Sequence, residues 1–130
     1  MDVNPVESFN INYNLSVWFD IPVVDLDRAI AFYARVLDTD VVSEVIDGIR
    51  YGLIRSEFGN GGCLMVDEIR ITSQQGPLIY LNVYGRLAQA VDRVTDMGGA
   101  VLEGIHPLGR WGHRAIILDS EGNRLALHSF

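Results

Sequence analysis

The sequence predicts an α+β fold of two tandem βαβββ units with pseudo-twofold symmetry, and three observations predict it. The second half repeats the first at an offset of 61 residues, aligning Ile30 with Val91, Tyr33 with Val94, Val36 with Met97, Val41 with Leu102, Gly61 with Gly122, Leu64 with Leu125 and Val66 with Leu127. Ahead of the helices the offset is 60, aligning Phe19 with Ile79, Ile21 with Leu81 and Val23 with Val83, so the second copy carries one extra loop residue near positions 84–87. Both copies also pass through the same succession of hydrophobic periods, and self-similarity of this kind outranks any single motif.

In the first unit, residues 15–23 alternate and are rich in strand formers. Asp25 then caps a helix whose apolar positions Leu26, Ile30, Tyr33, Val36 and Leu37 follow helical spacing. Three strand-like runs follow at 41–46, 49–55 and 63–67, divided by Asp47-Gly48 and by the glycine-rich stretch 59–62. Asp-Gly between two such runs is a hairpin signal. The second unit repeats the order with a strand at 78–83, a helix at 87–97 ended by Gly98-Gly99, strands at 100–103 and 113–118, a turn at 119–123 and a last strand at 124–129. The resulting organisation is an N-terminal arm over 1–14 and a single domain over 15–130, comprising unit one at 15–67, a polar linker at 68–76 and unit two at 77–130. Neither unit is large enough to bury a sufficient core alone, so the two are expected to share one.

Composition narrows the chemistry. Seventeen acidic against ten basic residues give a net charge of −7, which repels a phosphate backbone and argues against a nucleic-acid partner. All the basic residues are arginine, and without lysine there is no Schiff-base or lysine general-base chemistry. The single cysteine, Cys63, cannot form an internal disulfide and lies in an apolar run as a small hydrophobe. No apolar stretch approaches the roughly 20 residues of a membrane span, and the polar, acidic start lacks the features of a signal peptide. A cytoplasmic protein with no membrane partner is the expectation.

The run Asp25-Leu26-Asp27-Arg28-Ala29-Ile30-Ala31-Phe32-Tyr33 after the first strand, and Asp119-Ser120-Glu121-Gly122-Asn123 before the last, resemble the vicinal oxygen chelate superfamily, which includes glyoxalase I, bleomycin-resistance proteins, fosfomycin-resistance enzymes and extradiol dioxygenases. The resemblance covers nearly all of 15–130 and implies that the eight strands form an open, curled, barrel-like sheet. It also implies metal ligands facing inward from the first and last strand of each unit. Carried over by position, those ligands fall at Trp18, Met65, Leu78 and Ala126, none of which suits a hard or borderline divalent ion. No cofactor is therefore expected, and the resemblance is nearest to the branch that sequesters ligands without chemistry.

Alternation assigns the faces. Val17, Phe19 and Ile21 point one way and Ser16, Trp18 and Asp20 the other, with Leu78, Tyr80 and Asn82 inward in the second unit. In the closing strands, Cys63, Met65, Asp67, Arg124, Ala126 and His128 face the cavity. Ser16, Trp18, Asp20, Tyr80, Asn82, Arg124 and His128 thus form a candidate ligand site, the alternative being an Asp20–Arg124 structural pair with Trp18 as filler. His128 and Asp20 are the catalytic candidates, since a carboxylate beside an imidazole can make a general base. Arg110, Trp111 and His113, in and beside the loop at 108–112, extend the ligand set as a lid, or else mark a hairpin with a surface tryptophan. His106, before Pro107, reads as an exposed loop residue, and 119–123 as turn chemistry.

The leading expectation is a metal-independent protein binding a small anionic or aromatic organic molecule. The alternative is a metal-dependent lyase, isomerase or dioxygenase that recruits its ion through His128, Asp20, Asp67 or His113. A homodimer is expected, because members of the resembled superfamily of this length usually pair and because Phe9, Ile11 and Tyr13 alternate along the N-terminal arm.

Overall fold

A computed structural model describes residues 16–56 and 59–130. The arm at 1–14, with Phe9, Ile11 and Tyr13, lies outside the described residues. The elements run β1 (Asp20–Val23), α1 (Leu26–Leu37), β2 (Val41–Ile46), β3 (Ile49–Ile54), β4 (Gly62–Val66), then β5 (Tyr80–Asn82), α2 (Leu87–Asp96), β6 (Ala100–Pro107), β7 (His113–Leu118) and β8 (Arg124–Ser129). Two four-stranded sheets result, ordered β1-β4-β3-β2 and β5-β8-β7-β6. The two units are thus the same βαβββ motif, and their sheets remain two, without closing into a barrel.

Local chemistry accounts for the boundaries. The Asp25 side chain accepts the Arg28 N–H at 3.0 Å, capping α1. Asp47 and Gly48 both have positive φ, 51° and 79°, the requirement of the two-residue turn that joins β2 to β3. Past α2, Gly98 takes φ 90° where a side chain would be strained.

Within each sheet the closing strand pairs parallel with the opening one, Ile21 beside Leu64 and Leu81 beside Leu127. These four side chains sit in one apolar cluster with Phe32, Val36, Ala90 and Val94 from the two helices. The core is therefore continuous across both units, since each sheet has one apolar face and the two helices pack together over both.

Several boundaries differ from the sequence reading, two of them by more than two residues. The strand formed at the start of unit one is Asp20–Val23, and the described residues before it are irregular. β6 does not stop at residue 103 but runs to Pro107, because register shifts between Val101 and Glu103 and between Glu103 and His106 absorb the irregularity at Gly104. His106 consequently lies on a strand, opposite Arg114, rather than in a loop.

Candidate functional site

The register fixes what each face presents. On β8, Leu125 and Leu127 enter the core, and the alternation leaves Arg124, Ala126 and His128 on the opposite face. Cross-strand pairing adds Arg114 beside His128, Ile116 beside Ala126, and Tyr80 on the other side of Ala126. On the first sheet, Asp20 is paired with Cys63 on the face away from α1.

Tyr80 is the residue on which the clefts converge. It lines one of about 500 Å³ with Ser16, Trp18, Phe19 and Leu78, and another of about 530 Å³ with Leu108, Trp111 and His128. A third, of about 370 Å³, adds Asn82 and reaches Asp38 and Arg55 of the first unit. Ser16, Trp18, Tyr80, Asn82, Trp111 and His128 are thus arranged around one aromatic wall.

The side chains there are held by directional contacts. His128 Nε2 lies 2.6 Å from the Trp111 carbonyl oxygen, so it is the nitrogen that donates. Its ring meets Tyr80 edge-to-face at 6.2 Å and Phe130 at 5.1 Å. Trp111 sits on a single 3-10 turn, Gly109–Trp111, 60% exposed, with the Arg110 guanidinium 4.7 Å from its ring centre. That turn is fixed by Gly112, whose φ is 87° and where a Cβ would come within 2.5 Å of the Ser129 carbonyl.

Arg114, which the sequence reading left out, completes this surface. Its Nε–H donates to His106 Nε2 at 3.0 Å, its Nη1 donates to the Tyr80 hydroxyl, and its guanidinium carbon lies 5.8 Å from the Tyr80 ring centre. His106 Nδ1 donates in turn to the Gly104 carbonyl at 2.8 Å. The signal was present in the strand period, since Arg114 is one step out of phase with the buried Ala115 and Ile117. It becomes meaningful only once β7 is known to lie beside β8.

Other predicted residues lie elsewhere. Asp20 and Arg124 line a separate cleft of about 240 Å³ beside the linker, and among the described residues no ion pair joins them. The Cys63 thiol donates to Asp20 Oδ1 at 3.0 Å. Burial, then the Asp20 carboxylate, push that thiol up to about 12, against a smaller opposing hydrogen bond from Trp18. His113 is paired with Ser129 and shares its face of β7 with the core residues Ala115 and Ile117, so it does not face the cleft of His128. Asp67 is engaged with Arg70. The structure therefore does not gather His128, Asp20, Asp67 and His113 at one point.

The residues at the positions assigned to metal ligands do not fit an ion. Trp18 and Leu78 offer an indole and a hydrocarbon to the same cleft, Ala126 is fully buried, and Met65 contributes only a thioether. Among the described residues no group of three or more His, Cys, Asp or Glu side chains could hold a metal.

The turn at 119–123 is a buried polar junction between the units. Glu121 accepts the N–H groups of Val24 and Asp25 at 3.0 and 2.7 Å and pairs with Arg28 at 2.7 Å. Burial alone would raise this carboxyl, but the bonds from Arg28, Asp25, Ser120 and Val24 together bring it down to about 2.

A family model described as the Glyoxalase/Bleomycin resistance protein/Dioxygenase superfamily matches residues 16–127. Among solved structures, the chain is similar to hypothetical protein SA1046 from S. aureus, at 20% identity and TM-score 0.68, over 92% of this chain and 96% of that one. It is similar to the genomically encoded fosfomycin resistance protein FosX from Listeria monocytogenes, at 15% identity and TM-score 0.68, over 92% and 95%. A glyoxalase/bleomycin resistance protein from Streptomyces sp. CB03234 gives 21% identity and TM-score 0.64, over 85% and 96%. At these identities the likeness is one of fold. Comparison with curated proteins found no match.

Proposed function

The chain belongs to the glyoxalase/bleomycin resistance protein/dioxygenase superfamily, and on that premise we propose that it binds a small aromatic, anionic organic molecule around Tyr80 without using a metal. The observation that carries this reading is that Tyr80 walls two clefts, each of which also has a tryptophan, Trp18 in one and Trp111 in the other. Flat aromatic walls favour a flat guest, which gains stacking and apolar burial at little conformational cost.

The anionic preference rests on Arg114 and Arg110. Both guanidinium groups lie against aromatic rings at this surface, and Arg114 has donors beyond those engaged with His106 and Tyr80. A carboxylate stacked beside Tyr80 could take a charge-assisted bond there. Metal independence is supported by the donor chemistry of Trp18, Met65, Leu78 and Ala126, which offers no Lewis-acid site for polarising a substrate.

Calorimetric titration with 2-naphthoate tests the reading. Binding is expected to survive chelator treatment, and Arg114→Ala should weaken it by about 1.5 to 3 kcal/mol, the worth of one charge-assisted hydrogen bond. Tyr80→Ala should weaken it further by removing the shared wall. Binding indifferent to both substitutions would place the ligand elsewhere, and binding that required added zinc, manganese or iron would restore the metal-dependent lyase, isomerase or dioxygenase.

A further inference from the structure

Asn60 occupies a singular place in the repeat. Its side-chain Nδ2 donates to the Ser16 carbonyl, which fixes the orientation of the amide, because the flipped form would set two oxygens against each other. The remaining atom, Oδ1, is buried and has no hydrogen-bond partner. A buried acceptor left in this state is costly, and native structures rarely keep one without a reason.

The pseudo-twofold counterpart of Asn60, at the 61-residue offset, is Glu121. There the side-chain oxygens are fully engaged by the protein itself, with Val24, Asp25, Arg28 and Ser120 as donors. The same position in the first unit thus keeps an acceptor but has lost its internal donors. Asn60 instead borders two clefts between the units, of about 370 and 500 Å³, which share Phe19, Gly61 and Tyr80 as walls. Asn60 therefore stands where the two clefts meet, with its Oδ1 covered and unpaired beside an aromatic wall.

We infer that Asn60 Oδ1 recognises a hydrogen-bond donor on the bound molecule, so that the ligand is an aromatic compound carrying a hydroxyl or N–H group, held between the two units. The inference rests on the small-molecule reading above and adds the donor and its place. The acceptor is a neutral amide oxygen, so the donor it pairs with need carry no charge. Asp38 and Arg55, which border the smaller cleft, carry opposite charges and leave no net preference there.

A matched series tests it: calorimetry with 6-hydroxy-2-naphthoate, 6-methoxy-2-naphthoate and 2-naphthoate on the wild-type chain and on Asn60→Leu, each confirmed folded by its melting transition. The hydroxy compound is expected to bind wild type about tenfold more tightly than the methoxy compound, the fold-change of one neutral hydrogen bond. Asn60→Leu should abolish that preference while 2-naphthoate still binds, and Asn60→Ala serves if the leucine variant fails to fold. In a Trp111→Phe background Trp18 is the remaining tryptophan, and its fluorescence should respond to the hydroxy compound. Equal affinity for the hydroxy and methoxy compounds, or a preference that outlives both substitutions, overturns the role of Asn60 and leaves the small-molecule reading intact. If none of the three binds wild type, that reading falls and the inference with it.

Discussion

The Tyr33 hydroxyl donates a 2.5 Å hydrogen bond to Asp119 Oδ2, joining the helix of the first unit to the β7–β8 turn of the second. Both groups are buried, and Asp119 also receives the N–H groups of Glu121 and Asn123, each at 2.8 Å. At the 61-residue offset Tyr33 becomes Val94, so this polar junction exists at one of the two pseudo-equivalent helices and not at the other.

Tyr33→Phe is expected to destabilise the fold by about 1 to 3 kcal/mol, because Asp119 Oδ2 keeps only the Asn123 amide as donor while remaining buried. Denaturant unfolding measures this directly. An unchanged midpoint would mean that the junction contributes nothing net.

Glu121 makes stability depend on pH in the acid range. Its folded carboxyl titrates at about 2 against an ordinary 4.5, so the unfolded chain takes up the proton first as pH falls. The stabilisation is complete above about 4.5 and is lost as pH drops from there toward about 2, an effect on the order of 2 to 3 kcal/mol. Melting curves across that window should fall more steeply for wild type than for Glu121→Gln, which has no carboxyl there to titrate.

Cys63 should resist alkylation. Buried, bonded to Asp20 and raised to about 12, its thiol supplies almost no thiolate at pH 8. Iodoacetamide labelling is expected to be slow in the native chain and fast in denaturant. Native labelling at the rate of a free thiol would contradict the buried Cys63–Asp20 pair.

The chain is expected to form a homodimer. Val45, Ile46 and Ile49 of the β2–β3 hairpin are exposed, as are Val101, Leu102 and Ile105 along the edge strand β6, and apolar edges of this kind seek cover. Light scattering should give twice the mass of the chain at micromolar concentration, and deletion of residues 1–14 should shift it toward the monomer if the arm clasps a partner. A monomer mass for the intact chain would exclude the pairing.

By itself the sequence determined the order of the elements, the equivalence of the two units and which side chains of β1, β4, β5 and β8 turn toward the helices. These follow from period and repeat, which are local properties: a strand alternates whatever lies beside it, and two like segments fold alike. The Asp47-Gly48 hairpin was legible for the same reason, as its positive φ angles are a demand of the turn alone. Tertiary structure decided the rest. Tyr80 became a wall of the two clefts that reach the first unit only through the packing of one unit on the other, and His113 was separated from His128 by the register of β7 against β8. Two bulges carried β6 on to His106 and so brought that ring to Arg114, a contact no spacing announces. Asn60 and Glu121 occupy the same place in the repeat, yet one acceptor is satisfied and the other is not. Apart from Ser120, the donors to Glu121 are Val24, Asp25 and Arg28, distant in the chain, and long-range placement is what a repeat cannot encode.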